Sequence, residues 1–217
     1  MRQRGVRAMI GFSALSILFL ATPGLAHADT VSLTFENVGP GNNSGGVYTY
    51  PYNFSVNGST TYTSLMCYAY NDEIYLGESW TATVDPIATT QEKELAYLYS
   101  VASNPNSSPA TVSAAQWAAW ELFDSALTDA PNQSAVTAEL NAALAFVATA
   151  NPAFYNEYQL YIPVDGTQNP AGDGPPQWFI GAATTPEPSS ILLFGTGLLV
   201  IFGVAFRKRR RALVPLA

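Results

Sequence analysis

From residue 31 to residue 84, apolar and polar positions alternate in short runs rich in Thr, Tyr, Val and Phe, broken by Gly, Asn and Ser clusters. A period of two with such punctuation predicts strands at 31–37, 47–56, 61–70 and 80–84, forming an antiparallel, sandwich-like sheet. Beyond Pro86 the period lengthens, and helices are expected over 90–102, 110–127 and 134–148. The last carries Val136, Leu140, Ala143, Leu144 and Val147 along one face. Two further strands, 158–164 and 177–181, are placed to return to the sheet around a Gly/Pro loop at 165–176. Strands followed by helices define an α+β domain.

The two ends are patterned differently. Residues 1–28 have a basic start, an apolar run at 8–21 and the small-x-small triplet Ala26, His27 and Ala28 before Asp29, the plan of a cleavable signal peptide. An uncleaved anchor is the alternative. The apolar run is shorter than the roughly 20 residues of a bilayer span, which favours cleavage and a mature chain beginning at Asp29. At the other end Pro186, Glu187 and Pro188 precede an apolar run at 191–206, expected to be a transmembrane helix, and then Arg207, Lys208, Arg209, Arg210 and Arg211. Basic residues after the span place that end in the cytoplasm. Residues 29–184 remain as the extracytoplasmic domain, large enough for one core.

Charge narrows the choice of partners. Of 16 acids and 9 bases, only Glu187 among the acids lies beyond residue 185, and only Lys93 among the bases lies between the two ends. The domain therefore carries 15 acids against 1 base, and nucleic acid is excluded as a partner.

Candidate chemistry is sparse. The one histidine, His27, lies in the signal segment, which leaves the mature chain without histidine bases, histidine metal sites or a Ser-His-Asp arrangement. A single cysteine forms neither a zinc cluster nor an internal disulfide. Asp72 with Glu73, or Glu121 with Asp124, could serve as general acid and base, and solvated surface is the plainer reading of both. Asp165 and Asp173 flank a run of oxygen-bearing residues without the closing Glu of a calcium loop, so a turn is expected there. No cofactor, metal or catalytic residue is expected.

Two residues stand out. Cys67 is an unpaired thiol in an exported chain, where thiols oxidise or cross-link. It serves either as a small buried hydrophobe, as half of an intermolecular disulfide, or chemically. Gln116 lies about 140° around its predicted helix from Glu121, on the stripe of Trp120, Phe123 and Leu127. An unpartnered buried amide costs about 1–3 kcal/mol, so this glutamine is either hydrogen-bonded in the core or used.

Two resemblances follow. The order of Pro186, Glu187 and Pro188, a short hydrophobic helix and an arginine cluster resembles the PEP-CTERM sorting signal of Gram-negative bacteria. That resemblance implies an exosortase-type sorting protease as partner, a membrane-anchored precursor, and release to the cell surface or extracellular matrix of a biofilm. Cys67 on a strand with Gln116, Trp117, Ala118, Ala119 and Trp120 on a helix resembles the thioester domains of bacterial surface adhesins. The chain departs from that family's pattern at Met66, Ala69 and Ala115. This second resemblance implies a Cys67–Gln116 thioester, walled by Tyr68, Tyr70, Trp117 and Trp120, that bonds once to a surface amine or hydroxyl, polysaccharide hydroxyls included. The alternative is a non-reactive structural or carbohydrate-binding matrix protein that presents aromatic faces to sugars.

Overall fold

A computed structural model describes residues 29–39, 43–164, 167, 174–183 and 197. The segments read as signal peptide (1–28), most of the Gly/Pro loop with Asp165 and Asp173, the sorting motif and the apolar run 191–206 lie outside the described residues, Gly197 apart. Among the described residues no helix is long and apolar enough to cross a membrane.

The strands are β1 (Asp29–Val38), β2 (Asn43–Ser44), β3 (Val47–Tyr48), β4 (Tyr52–Val56), β5 (Thr63–Cys67), β6 (Ser79–Pro86), β7 (Tyr158–Pro163) and β8 (Phe179–Ala182). Six of them close into an antiparallel barrel in the order β1-β4-β5-β8-β7-β6, while β2 and β3 form a separate hairpin. This replaces the expected sandwich-like sheet. The two late strands make the difference: β8 pairs with β5 on one side and β7 on the other, so what would be an open edge is sealed. The inside of the barrel is filled by Leu33, Phe35, Phe54, Leu65, Trp80, Tyr161 and Phe179. Phe54 meets Trp80 and Phe179 edge-on at ring-centroid distances of 5.6 and 4.7 Å, the arrangement that aromatic quadrupoles favour. Gly181 admits the closing strand, because a Cβ there would lie 2.4 Å from Leu65 Cδ2.

Between β6 and β7 the chain forms three helices, α1 (Thr90–Ser103), α2 (Pro109–Phe123) and α3 (Gln133–Val147), then a 3-10 turn at Pro152–Glu157. Helix α1 opens with a capping box: Thr89 Oγ1 accepts from the Glu92 amide, and Glu92 Oε2 accepts from the Thr89 amide. Helix α2 starts with Ser108 as cap and Pro109 in its first turn. It ends at Phe123 rather than at 127, because Asp124 caps it: the Asp124 amide donates to Trp120 O, and Asp124 Oδ1 accepts from the Ala126 amide. On α3, Val136 and Ala143 are buried as the expected face requires, whereas Leu144 is exposed.

Strand 47–56 is likewise interrupted. Pro51, preceded by a cis peptide bond, separates β3 from β4 and offers no ladder N–H. The Gly45-Gly46 turn of the β2–β3 hairpin has positive φ at both positions, 65° and 86°, as a tight two-residue turn demands.

Candidate functional site

The site lies where β5 runs out of the barrel beneath α2. In the β5–β8 pairing Cys67 faces Phe179 and Met66 faces Ile180. Paired residues share a sheet face, so Cys67 takes the barrel-facing side with Phe179 at the end of its strand. All three of Met66, Cys67 and Tyr68 are buried. The thiol S–H donates to Ala69 O at 3.4 Å.

Helix α2 is enclosed almost all round: every residue from Ala114 to Trp120 is buried. A helix apolar on all sides belongs inside a fold, and α2 is packed against α1, α3 and β5. Gln116 is the polar exception, fully buried at its midpoint. Its carboxamide is saturated at both ends by backbone from elsewhere in the chain. Nε2 donates to Cys67 O at 2.6 Å, and Oε1 accepts from the Tyr50 amide at 3.2 Å. The structure thus brings Gln116 onto the backbone of Cys67, 49 residues away in sequence.

The four expected wall residues divide into two groups. Tyr70, Trp117 and Trp120 form one aromatic cluster, with ring centroids 5.8 Å (Tyr70–Trp117), 5.1 Å (Tyr70–Trp120) and 5.2 Å (Trp117–Trp120) apart. Tyr68 stands apart from it, packed on Phe123 and Trp178 at 4.9 and 5.9 Å. The β2–β3 hairpin rests on the first cluster: Trp117 Nε1 donates to Ser44 Oγ at 3.3 Å, and a Cβ on Gly45 would sit 3.1 Å from the Trp117 ring.

Burial pushes the Cys67 thiol up to about 12, and the charge of Asp72 acts in the same direction; the Trp120 indole N–H opposes both by favouring the thiolate. Trp120 Nε1 is buried and, apart from this pull on the sulfur, has no hydrogen-bond partner among the described residues. It stands one helical turn beyond Gln116, on the same face of α2. Tyr52 is held high by burial and by the nearby Cys67.

Sequence reasoning missed the Tyr50 amide, because a backbone donor leaves no trace in side-chain patterning. It also missed Tyr52, whose place near the thiol follows from the β4–β5 pairing, which sets Tyr52 opposite Leu65. The two acid pairs have other work or none. Glu121 accepts from Gln133 Nε2 at 3.0 and 2.9 Å, and Asp124 from Asn71 Nδ2 at 2.9 Å, so both stabilise helix and loop contacts. Among the described residues no cluster of His, Cys, Asp or Glu is placed to hold a metal.

Comparison with known proteins bears on the C-terminal segment. A family model for the PEP-CTERM protein-sorting motif matches residues 184–211. The chain is therefore an exosortase-sorted exported protein, made as a membrane-anchored precursor and destined for the cell surface. No curated protein and no solved structure matches the chain.

Proposed function

We propose that the exported domain is a single-use covalent adhesin carrying an internal thioester between Cys67 and Gln116, and that it attaches to an amine or hydroxyl on a target surface. The observation that carries this reading is the buried carboxamide of Gln116, held by its own nitrogen on the Cys67 carbonyl at 2.6 Å.

In forming the bond, the Cys67 sulfur adds to Gln116 Cδ and negative charge gathers on Oε1. The Tyr50 amide already donates to that atom, so it is placed as an oxyanion donor. The C–N bond then breaks, Nε2 leaves with the thiol proton, and ammonia is lost. In the second step a target nucleophile adds to the same carbon. Its proton returns to sulfur as the C–S bond breaks, regenerating the Cys67 thiol and leaving the target on the Gln116 acyl group. No histidine takes part.

Two features suit the reaction to a buried site. Trp120 Nε1, through its hydrogen bond toward the sulfur, offsets part of the burial that disfavours the thiolate. Trp117, Trp120 and Tyr70 keep water from an activated acyl group until a target arrives. Lys93, the domain's one amine-bearing side chain, is on α1 and lies over the Tyr155 ring at 5.6 Å.

Intact mass of the purified chain tests the reading. The expected result is a species lighter by one ammonia, absent from Cys67→Ala and Gln116→Ala and shifted by the adduct after methylamine treatment. Full mass in freshly purified protein, with one thiol titratable after denaturation, would sink it.

A further inference from the structure

Beside the Cys67–Gln116 contact, and separated from it by Trp120 and Tyr70, a groove of about 870 Å³ opens between the β2–β3 hairpin and the 70–76 loop. Its volume is within the range of small-ligand sites. Two tyrosines that line it are exposed, Tyr48 at 57% and Tyr75 at 38%. Exposed aromatic side chains along a concavity are suited to ligand contact.

The polar groups of the groove are of both kinds. Asp72 and Gln177 supply acceptors: the Asp72 carboxylate has no partner among the described residues, and Gln177 Oε1 is buried without one, although Gln177 Nε2 donates to Asp72 O at 2.6 Å. Asn37 supplies a donor, because Oδ1 accepts from Asn53 Nδ2 at 2.8 Å and leaves Nδ2 unused. The Tyr48 hydroxyl both donates and accepts. Glu73, the other carboxylate, is engaged by Tyr75 OH at 2.8 Å.

This pattern excludes two ligand classes and selects a third. Among the described residues no basic side chain lines the groove, and the domain around it carries 15 acids against 1 base, so an anion is repelled. An ammonium has donors only and leaves Asn37 Nδ2 unanswered. A sugar ring presents hydroxyls that donate and accept in alternation, and an apolar face of C–H groups to lay on an aromatic ring.

We infer that this groove is a non-covalent binding site for a neutral oligosaccharide, stacked on Tyr48 and Tyr75 and hydrogen-bonded by Asp72, Gln177 and Asn37. It stands independently of the thioester reading, since neither Cys67 nor Gln116 lines it. Its effect is to hold the chain on a glycan surface whether or not a covalent bond follows.

The test is calorimetric titration of the purified full chain with cellohexaose, maltohexaose and chitohexaose, with cadaverine as the ammonium control. Saturable binding of at least one hexasaccharide is expected. Tyr48→Ala and Asp72→Asn should each weaken it about tenfold, equivalent to about 1.4 kcal/mol, while Tyr75→Phe, which keeps the ring, and Cys67→Ala should bind as the parent does. Failure of all three sugars overturns the assignment, as does binding untouched by both Tyr48→Ala and Asp72→Asn. Binding of cadaverine alone would make the groove an ammonium site instead, and loss of sugar binding in Cys67→Ala would overturn its independence. The thioester's own failure would appear in the mass measurement and leave these titrations unchanged.

Discussion

Gln116 and Cys67, 49 residues apart, meet through a hydrogen bond of 2.6 Å from the glutamine Nε2 to the cysteine carbonyl oxygen, inside a core from which both are shielded. That bond joins the barrel to the central helix. It also gives the buried amide a structural role that is separable from any chemistry.

Replacing Gln116 by Ala strands two backbone groups, Cys67 C=O and the Tyr50 N–H, in a site closed to water. An unsatisfied buried group costs on the order of 1–3 kcal/mol, so urea denaturation of Gln116→Ala should show a loss of about 2 kcal/mol or more. An unchanged midpoint would mean that these two hydrogen bonds do not hold the strand to the helix.

The free thiol should make stability depend on alkaline pH. Its folded value is raised from 9.0 to about 12, so the unfolded chain gives up its proton first, and the folded state loses ground as pH climbs through that window and keeps its full stability below it. Between pH 9 and 10, Gln116→Ala should therefore lose roughly 1 kcal/mol more than Cys67→Ala/Gln116→Ala. Paired chemical denaturation at the two pH values measures this, and parallel curves would rule out the buried, protonated thiol.

Gly45 holds the hairpin over Trp117 by its positive φ and by the absence of a Cβ, which would otherwise lie 3.0 Å from Pro131 Cγ and 3.1 Å from the Trp117 ring. Gly45→Ala should lift the hairpin and cost about 1 kcal/mol or more. Alkylation of Cys67 by iodoacetamide in the Gln116→Ala background should speed up in the variant. The same alkylation rate with and without the substitution would show that the hairpin does not guard this side of the core.

Thr89→Ala removes the acceptor for the Glu92 amide at the start of α1. Loss of an N-cap side chain costs about 1 kcal/mol, and thermal unfolding should record it, with Thr89→Ser close to the parent. A larger loss in Thr89→Ser than in Thr89→Ala would contradict the capping geometry.

Much of this arrangement was legible in the residues. Alternation placed six of the strands to within a few positions, and the longer period placed all three helices, because burial on one side of an element leaves a spacing in the sequence. Gln116 was legible as a polar residue on an apolar stripe, and its burial with satisfied hydrogen bonds follows from the cost of leaving an amide bare. Closure was not legible: nothing in Phe179 or Ile180 says that they pair with Cys67 and Met66 across 111 and 113 intervening positions. Nor was the end of α2, where the apolar pattern continues to Leu127 while Asp124 turns the backbone away. The Tyr50 amide lies beyond any side-chain argument, and so does the division of the aromatic wall into two groups.

The strand that seals the cylinder, Phe179–Ala182, lies immediately before the sorting motif at 184–211. Until it has emerged from the export machinery, β5 and β7 each present a bare row of amides and carbonyls to whatever is nearby. Folding of this domain is thus tied to the completion of its own translocation, and the tether that keeps it at the membrane begins only a residue or two past the final rung. A cut within that motif leaves all six strands of the barrel on the released side.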